Sequence, residues 1–521
     1  MASIQDTDEL LLARIGYKQE MKREFSKWST VSYAISILGI LGSVPATFGS
    51  PLAAGGPATA VWCWLIGSCM ALCIGSSVAE LVSAYPTAGG MYFVTKQVVP
   101  EEQVPIFSWI QGWCNLLGQT AGVSSVAYTV SQMLLACASM NSALVDGQYS
   151  YTPSASDTVL LSVLILCVLG VISSLTTKSL HRIIIWFAPI NTDQSVAATI
   201  AICFVLLWFT PDKQPASWVF THFTDGSGWG SKTFSFFLGF ISVAWTMTDY
   251  DGTTHMSEET HNAAALGPLA IQSAVIVSGV LGWLLTVCMC FCLTDFEGIL
   301  NTPTGLPAAQ IFMNAGGKTG GSAMWALAIL VQFFTGCSAM LADTRMAYAF
   351  ARDEALPFSS FLSQINPYTR TPVNAVWFVV IFSICLNCIA IGSTETATAI
   401  FNITAPALDL SYVSVILAHQ VYRRKVRFIE GPFTLGRWGP YINWISVIWV
   451  VFISTILFFP TTVPITASNM NYGICVGIFI GVFALVWWWV AARGAYTGPR
   501  TNEDILPVPT EEPGTNYRTM E

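Results

Sequence analysis

Runs of about 19 apolar residues recur along the chain from Trp28 to Val490, separated by short polar stretches. Windows of that length predict twelve membrane-spanning helices, at approximately 29–49, 57–83, 106–137, 158–177, 183–209, 233–256, 267–292, 321–350, 373–392, 396–420, 441–460 and 471–492. No intervening polar block is large enough to fold by itself. The expected organisation is one transmembrane domain over 29–492 with tails at 1–28 and 493–521. The fold class expected from this pattern is an all-α polytopic membrane protein with twelve transmembrane helices.

The sixth run departs from the pattern. After TFSFFLGFISVAW comes TMTDYDGTTHMSEE, and the residues from Thr233 to Met247 cover roughly 22 Å at ~1.5 Å each, short of the ~30 Å of hydrocarbon. Asp249 and Asp251 therefore fall inside the span. The first run has its own soft centre, Ser36-Ile-Leu-Gly-Ile-Leu-Gly-Ser43. A helix opened at mid-membrane frees N–H and C=O groups that lipid cannot satisfy, so such a break must line a cavity or a ligand site. The two runs lie five apart in span order, the spacing left by two inverted five-helix repeats that each begin with a broken helix. That division places repeat one at about 29–209, repeat two at about 233–420 and two further helices at 441–492. For span 1 a plainer account stands beside this one, in which Gly39 and Gly42 are interface glycines and Pro45 is a kink.

Charge sets the orientation. With twelve spans and a cytoplasmic N-terminus, all of the 22 Lys and Arg residues except Lys213, Lys232 and Lys318 fall on the cytoplasmic side, as the positive-inside rule requires. The cluster Arg423, Arg424, Lys425 and Arg427 would be misplaced by an odd span count. It reads as a topology anchor, with lipid headgroup binding as a second reading. The chain is 53% hydrophobic and 10% charged, against about 25% charged for a soluble domain. Its net charge of −8 is carried by acids in the tails and in 246–259, and no basic patch suggests nucleic acid. The 14 cysteines lie in or beside apolar runs, where a thiol behaves as a small hydrophobe. The N-terminus lacks a basic n-region and a small-residue cleavage site, so no cleaved signal peptide is expected. No grouping has metal-ligand spacing and no Walker A loop is present, which argues against a primary pump.

Other polar positions are read in the same way. Glu80 and Tyr85-Pro-Thr-Ala-Gly-Gly-Met-Tyr92 close span 2, where PTAGG has the composition of a turn. Asp193 in span 5, Asp343 in span 8 and Asp409 in span 10 are intramembrane acids, expensive enough to count as functional candidates. Asp343, beside Arg345, is expected to form an internal ion pair, and His255 is expected to be a polar surface residue.

Four blocks now resemble a known family: GYKQEMKREFS before span 1, AELVSAYPTAGGMYF after span 2, YDGTTHMSEE with LGPLAI around span 6, and TRMAYAFARDEALPFS with NPYTRTPVNAVW around spans 8 and 9. They occur in family order over roughly residues 16–493. Together they are similar to the amino acid–polyamine–organocation superfamily, in its fungal amino acid/choline transporter branch, which includes 4-aminobutyrate permeases. The resemblance implies the inverted-repeat fold of the leucine-transporter type, alternating access, and a site between spans 1, 3, 6 and 8. It assigns Gly39 and Gly42 to the broken span 1, Asp249-Tyr250-Asp251 to the broken span 6, Glu258 and Glu259 to the end of span 6, and Glu80 to the cytoplasmic end of span 2. Two departures stand out. Asp249 occupies a position where many members have glycine, and Asn191 occupies the span 5 position where some proton-coupled relatives have lysine.

The expected activity is secondary active transport of an amino acid or related nitrogenous solute, with protons as the coupling ion and no cofactor or metal. A substrate carboxylate would meet free N–H groups near Gly42 and Ser43, at a half-helix N-terminus. An ammonium would meet Asp249, the carbonyls around Thr246, and the faces of Trp245 or Tyr250. Glu80, Asp193, Asp251, Glu258 and Glu259 are the gating or ion-coupling candidates. Choline, polyamine and thiamine remain as substrate classes, and the oligomeric state is open. The expected partners are the solute and membrane lipid, and the plasma membrane is favoured over the vacuole. A sensor of the same fold would signal through its tails, which carry no recognisable domain. An enzyme would need a catalytic pair, whereas residues 249 and 251 diverge on a regular helix.

Overall fold

Helices account for most of the described residues in the computed structural model, which describes residues 23, 25–145, 148–175, 193–392, 394–466 and 469–500. The first span is two helices, α1 (Lys27–Leu38) and α2 (Ile40–Thr47), joined at Gly39. Then come α3 (Pro57–Ala84), α4 (Val104–Asn141), α5 (Ala155–Ser173) and α6 (Asp193–Phe209). The sixth run is divided into α7 (Lys232–Leu238), α8 (Ile241–Thr246) and α9 (Gly252–His255). The remaining long helices are α10 (Ala263–Phe291), α11 (Pro307–Arg352), α12 (Val373–Cys388), α13 (Thr394–Tyr422), α14 (Gly439–Leu457) and α15 (Gly473–Trp487). A hairpin of two-residue strands, Leu144–Val145 and Gln148–Tyr149, lies in the loop after α4.

Among the described residues, 10 helices are long and apolar enough to cross a membrane, and the protein is an integral, multi-pass membrane protein. The number differs from the twelve windows at two places. The sixth window is broken into short pieces, so no continuous helix spans it. The fifth crosses residues outside the described set, including Asn191, and leaves Ser195–Phe209 as a shorter apolar helix. The eighth helix begins earlier than its apolar window, at Pro307, and is interrupted at Gly317 (φ 63°).

Packing follows from which faces are polar. Helix α10 lies along α3, and α4 lies along both α11 and α13. Small residues and hydroxyls line these contacts, as expected where lipid supplies no hydrophobic drive for helix association. The outer helices are apolar toward lipid: on α15 Phe479 is 70% exposed, and on α14 Ile448 is 66% exposed. The inner seam, formed by α1, α2, α4, α8, α9, α11 and α13, holds the buried polar residues.

Candidate functional site

The break in span 1 is a single residue. Gly39 adopts φ 49°, ψ 49°, a left-handed conformation that glycine reaches without a Cβ penalty. The N–H groups of Gly42 and Ser43 both turn back onto the Gly39 carbonyl, at 2.9 Å each. The first donors of α2, on Ile40 and Leu41, are the ones without an intrahelical acceptor, so the expected anion-binding donors move two residues earlier than Gly42 and Ser43. The break also rests against α11. Thr335 donates its hydroxyl to the Ser36 carbonyl (2.9 Å), Ser36 and Ser338 share a hydroxyl contact (3.0 Å), and Ser43 donates to Gln332 Oε1 (3.0 Å). A Cβ on Gly42 would lie 2.6 Å from Gln332 Cβ and 2.8 Å from its backbone nitrogen. Gly42 is therefore a helix-contact glycine, and Ser43 is occupied by Gln332.

The break in span 6 is longer, with Met247 to Asp251 outside regular helix. Its pivot is Asp249, at φ 63°. The position requires a left-handed backbone, which glycine reaches freely and which Asp is among the few other residues to tolerate. The Asp249 carboxylate accepts from Gln119 Nε2 on α4 at 2.7 Å and is only partly covered. The other predicted residues here part company. Trp245 donates from Nε1 to Ser125 (2.8 Å) and packs on Phe401, with ring centroids 5.1 Å apart. Thr246 is buried, and its hydroxyl has no hydrogen-bond partner. Tyr250 is fully buried beside Tyr412 (5.5 Å) and Gly75 of α3, not turned toward a cavity as expected for an ammonium-binding face. Asp251 is fully buried and accepts from the Tyr412 hydroxyl on α13.

Beyond Trp245 a cavity of about 500 Å³ opens, lined by Thr47, Ser50, Tyr128, Gln132, Trp245 and Phe401 among others. Its rim includes Gly305 to Pro307, at the start of α11, and of the predicted substrate residues Trp245 alone lines it. Its size falls within the range of small-molecule sites.

The opposite end of α11 is closed. Glu259 forms a buried ion pair with Arg345 Nε (3.1 Å), and Glu258 accepts from the Ala88 N–H (3.1 Å), holding the PTAGG turn. The Phe25 N–H donates to the Glu259 carbonyl and the His261 N–H to the Phe25 carbonyl, each at 3.0 Å, and Arg23 donates to the Thr260 carbonyl. The segment before α1 thus seals this face.

Two expectations are corrected here. Arg345 pairs with Glu259, not with Asp343, because side chains two apart on a helix diverge. Asp343 is fully buried and neither of its oxygens has a hydrogen-bond partner. His255 is also no surface residue: it is 1% exposed, with Nδ1 on the Ala88 carbonyl (2.7 Å) and Nε2 3.5 Å from Asp251 Oδ2. Glu80 accepts from the Leu435 N–H (2.7 Å) and the Thr434 hydroxyl (3.1 Å), so it anchors the loop before α14. Asp409 accepts from Thr248 (3.3 Å). Asp193 begins α6, but its side chain lies outside the described residues.

Sequence reasoning missed Gln119, Ser125, Gln332, Tyr412 and the Glu259–Arg345 pair. A signal for the first was present: Gln111, Asn115 and Gln119 recur every four residues on span 3 and share a face.

Interrupted spans packed around a buried polar seam, with one end closed and a cavity at the other, make this a membrane transporter by class, not an enzyme. The amino acid permease family profile matches residues 25–492, and the chain belongs to that family. It is 43% identical over 502 residues to an uncharacterized amino-acid permease of Schizosaccharomyces pombe, covering 96% of this chain and 91% of that relative. It is 35% identical over 500 residues to Amino-acid permease 2 of Neurospora crassa (96% and 90% covered). It is also 30% identical over 510 residues to the GABA-specific permease of Saccharomyces cerevisiae (95% and 86% covered).

Proposed function

We propose that the protein is a proton-coupled secondary transporter that moves an amino acid by alternating access. The reading adopts twelve spans, two inverted repeats with two added helices, cytoplasmic termini and a plasma-membrane location. The observation that carries it is Asp249: a partly covered carboxylate at the left-handed pivot of a broken span, hydrogen-bonded by Gln119 and with bonding capacity left for an ammonium group. The N–H groups at the start of α2 suit the substrate carboxylate, and the cavity beside Trp245 suits the approach of a small zwitterion. A buried ion pair is offset by desolvation, so Asp249 contributes selectivity more than affinity. With its terminal face sealed, the structure fits a state open to the opposite side.

The test is uptake into proteoliposomes, with a competition panel of amino acids, 4-aminobutyrate, choline, polyamines and thiamine, for the parent and Asp249→Asn. The variant is expected to lose discrimination between ammonium-bearing and neutral analogues. Unchanged discrimination removes Asp249 from the site, and net accumulation indifferent to a pH gradient removes proton coupling. A fluorescent fusion tests the plasma-membrane assignment.

A further inference from the structure

We infer that Asp251 and His255 together form the binding site for the coupling proton. This rests on the proton-coupled reading above and names where the ion sits. His255 Nδ1 lies 2.7 Å from the Ala88 carbonyl, and a carbonyl can only accept, so Nδ1 carries a hydrogen. A neutral ring then presents a bare lone pair at Nε2, and Nε2 faces Asp251 Oδ2 at 3.5 Å. Both atoms are buried and neither has a hydrogen-bond partner. The other carboxylate oxygen is already occupied by the Tyr412 hydroxyl. Without a proton in the gap, two acceptors oppose each other where no water reaches; with one, they form a charge-assisted contact. The proton belongs to the pair, as imidazolium with carboxylate or as imidazole with carboxylic acid.

Acidic and phenolic groups surround the pair. Asp249 and Tyr250 face the pair from span 6 itself, Tyr412 and Asp409 from α13, and Tyr33 from α1. Glu258 and Glu259 follow in the chain, with Arg345 of α11 committed to Glu259. Asp343 lies within reach of Asp249.

The same ring is a clamp. Ala88 is gripped through its carbonyl by His255 and through its N–H by Glu258, which ties the PTAGG turn to the end of span 6. Gly90, at φ 51°, leaves so little room that a Cβ there would lie 3.2 Å from His255 Cε1. A proton between Asp251 and His255 therefore helps hold the terminal face shut. Opening that face removes the Ala88 carbonyl, admits water to the pair and lets the proton leave on that side, in step with the substrate.

Two measurements on the full-length protein test this. In ¹⁵N-histidine-labelled protein, the resonances that vanish in His255→Asn identify this ring. A protonated or hydrogen-bonded Nε2 at neutral pH is expected, and a bare acceptor overturns the assignment. In proteoliposomes, exchange of radiolabelled amino acid is compared with pH-gradient-driven accumulation. His255→Asn keeps an amide donor for Ala88 but cannot hold the proton. Asp251→Asn replaces the proton with a fixed amide hydrogen, and serves if the first variant does not fold. Each is expected to exchange but to lose the gradient-driven component. Variants that remain gradient-driven overturn the inference while leaving proton coupling intact, and a parent that ignores the gradient overturns proton coupling itself.

Discussion

The two broken spans solve one problem in different ways. In span 1 the interruption is one glycine, and α11 packs onto it at once: Thr335 caps the Ser36 carbonyl, Ser338 and Gln332 meet the Ser36 and Ser43 hydroxyls, and only the first N–H groups of α2 are left over. In span 6 five residues leave the helix, and the span brings its own polar groups: Asp249 to Gln119, Asp251 to Tyr412 and His255, Glu258 to Ala88, Glu259 to Arg345. A close-packed break tolerates no added volume. A break lined with acids depends on partners for its charge. Span 1 is thus closely packed at its break, and span 6 holds most of the buried ionisable groups around its own.

The comparison breaks most sharply at the closed end of span 6. Arg345→Ala leaves Glu259 buried and unpaired, and the expected loss is about 3–5 kcal/mol in denaturant unfolding of the detergent-solubilised protein. A loss under about 1 kcal/mol would mean that water reaches the pair. Next comes span 1, where Gly42→Ala forces a methyl group onto the backbone of Gln332, at an expected cost of about 1–3 kcal/mol by the same measurement. At the span 6 pivot, Asp249→Ala and Asp249→Asn remove the same charge, but only Asn tolerates the left-handed backbone well. Ala should be the less stable by about 1 kcal/mol, with cation discrimination lost in both.

A pH-dependent effect is expected outside the membrane. Burial pushes the Asp353 carboxyl, just beyond α11, up to about 6, against the opposing pull of Arg352 and Arg500. The folded state then binds its proton more readily than the unfolded state, so this group makes stability fall as pH rises from about 4 to about 6. Asp353→Asn should flatten that slope in thermal melts, with its relative gain largest above pH 6 and vanishing towards pH 4. An unchanged slope would assign the pH dependence to other groups.

Much of this site was legible in the chain because membrane burial makes polarity conspicuous. A span that runs out of apolar residues too soon shows its break without any coordinates, and Met247 to Asp251 lie where that shortage placed them. The span 1 break at Gly39 was only one of two readings of that run, and Gly42 proved to be a packing residue. The errors share a cause. Asp343 was paired with Arg345 because they are near in sequence, but a helix turns neighbours two apart to different sides. His255 was read as exposed because polar residues follow it, whereas the chain folds that stretch under the PTAGG turn.

By itself the sequence determined the membrane-spanning helices, the two interruptions and the presence of acids within the spans, because each follows from local hydropathy and backbone chemistry. Tertiary structure alone decided which acid stays partly exposed and which is fully committed. Gln119 meets Asp249, Tyr412 meets Asp251, Arg345 meets Glu259 and Ala88 meets His255 across at least 86 residues of chain. Burial makes an unpaired polar group costly, so the packing of distant helices assigns each carboxylate its partner and with it its role.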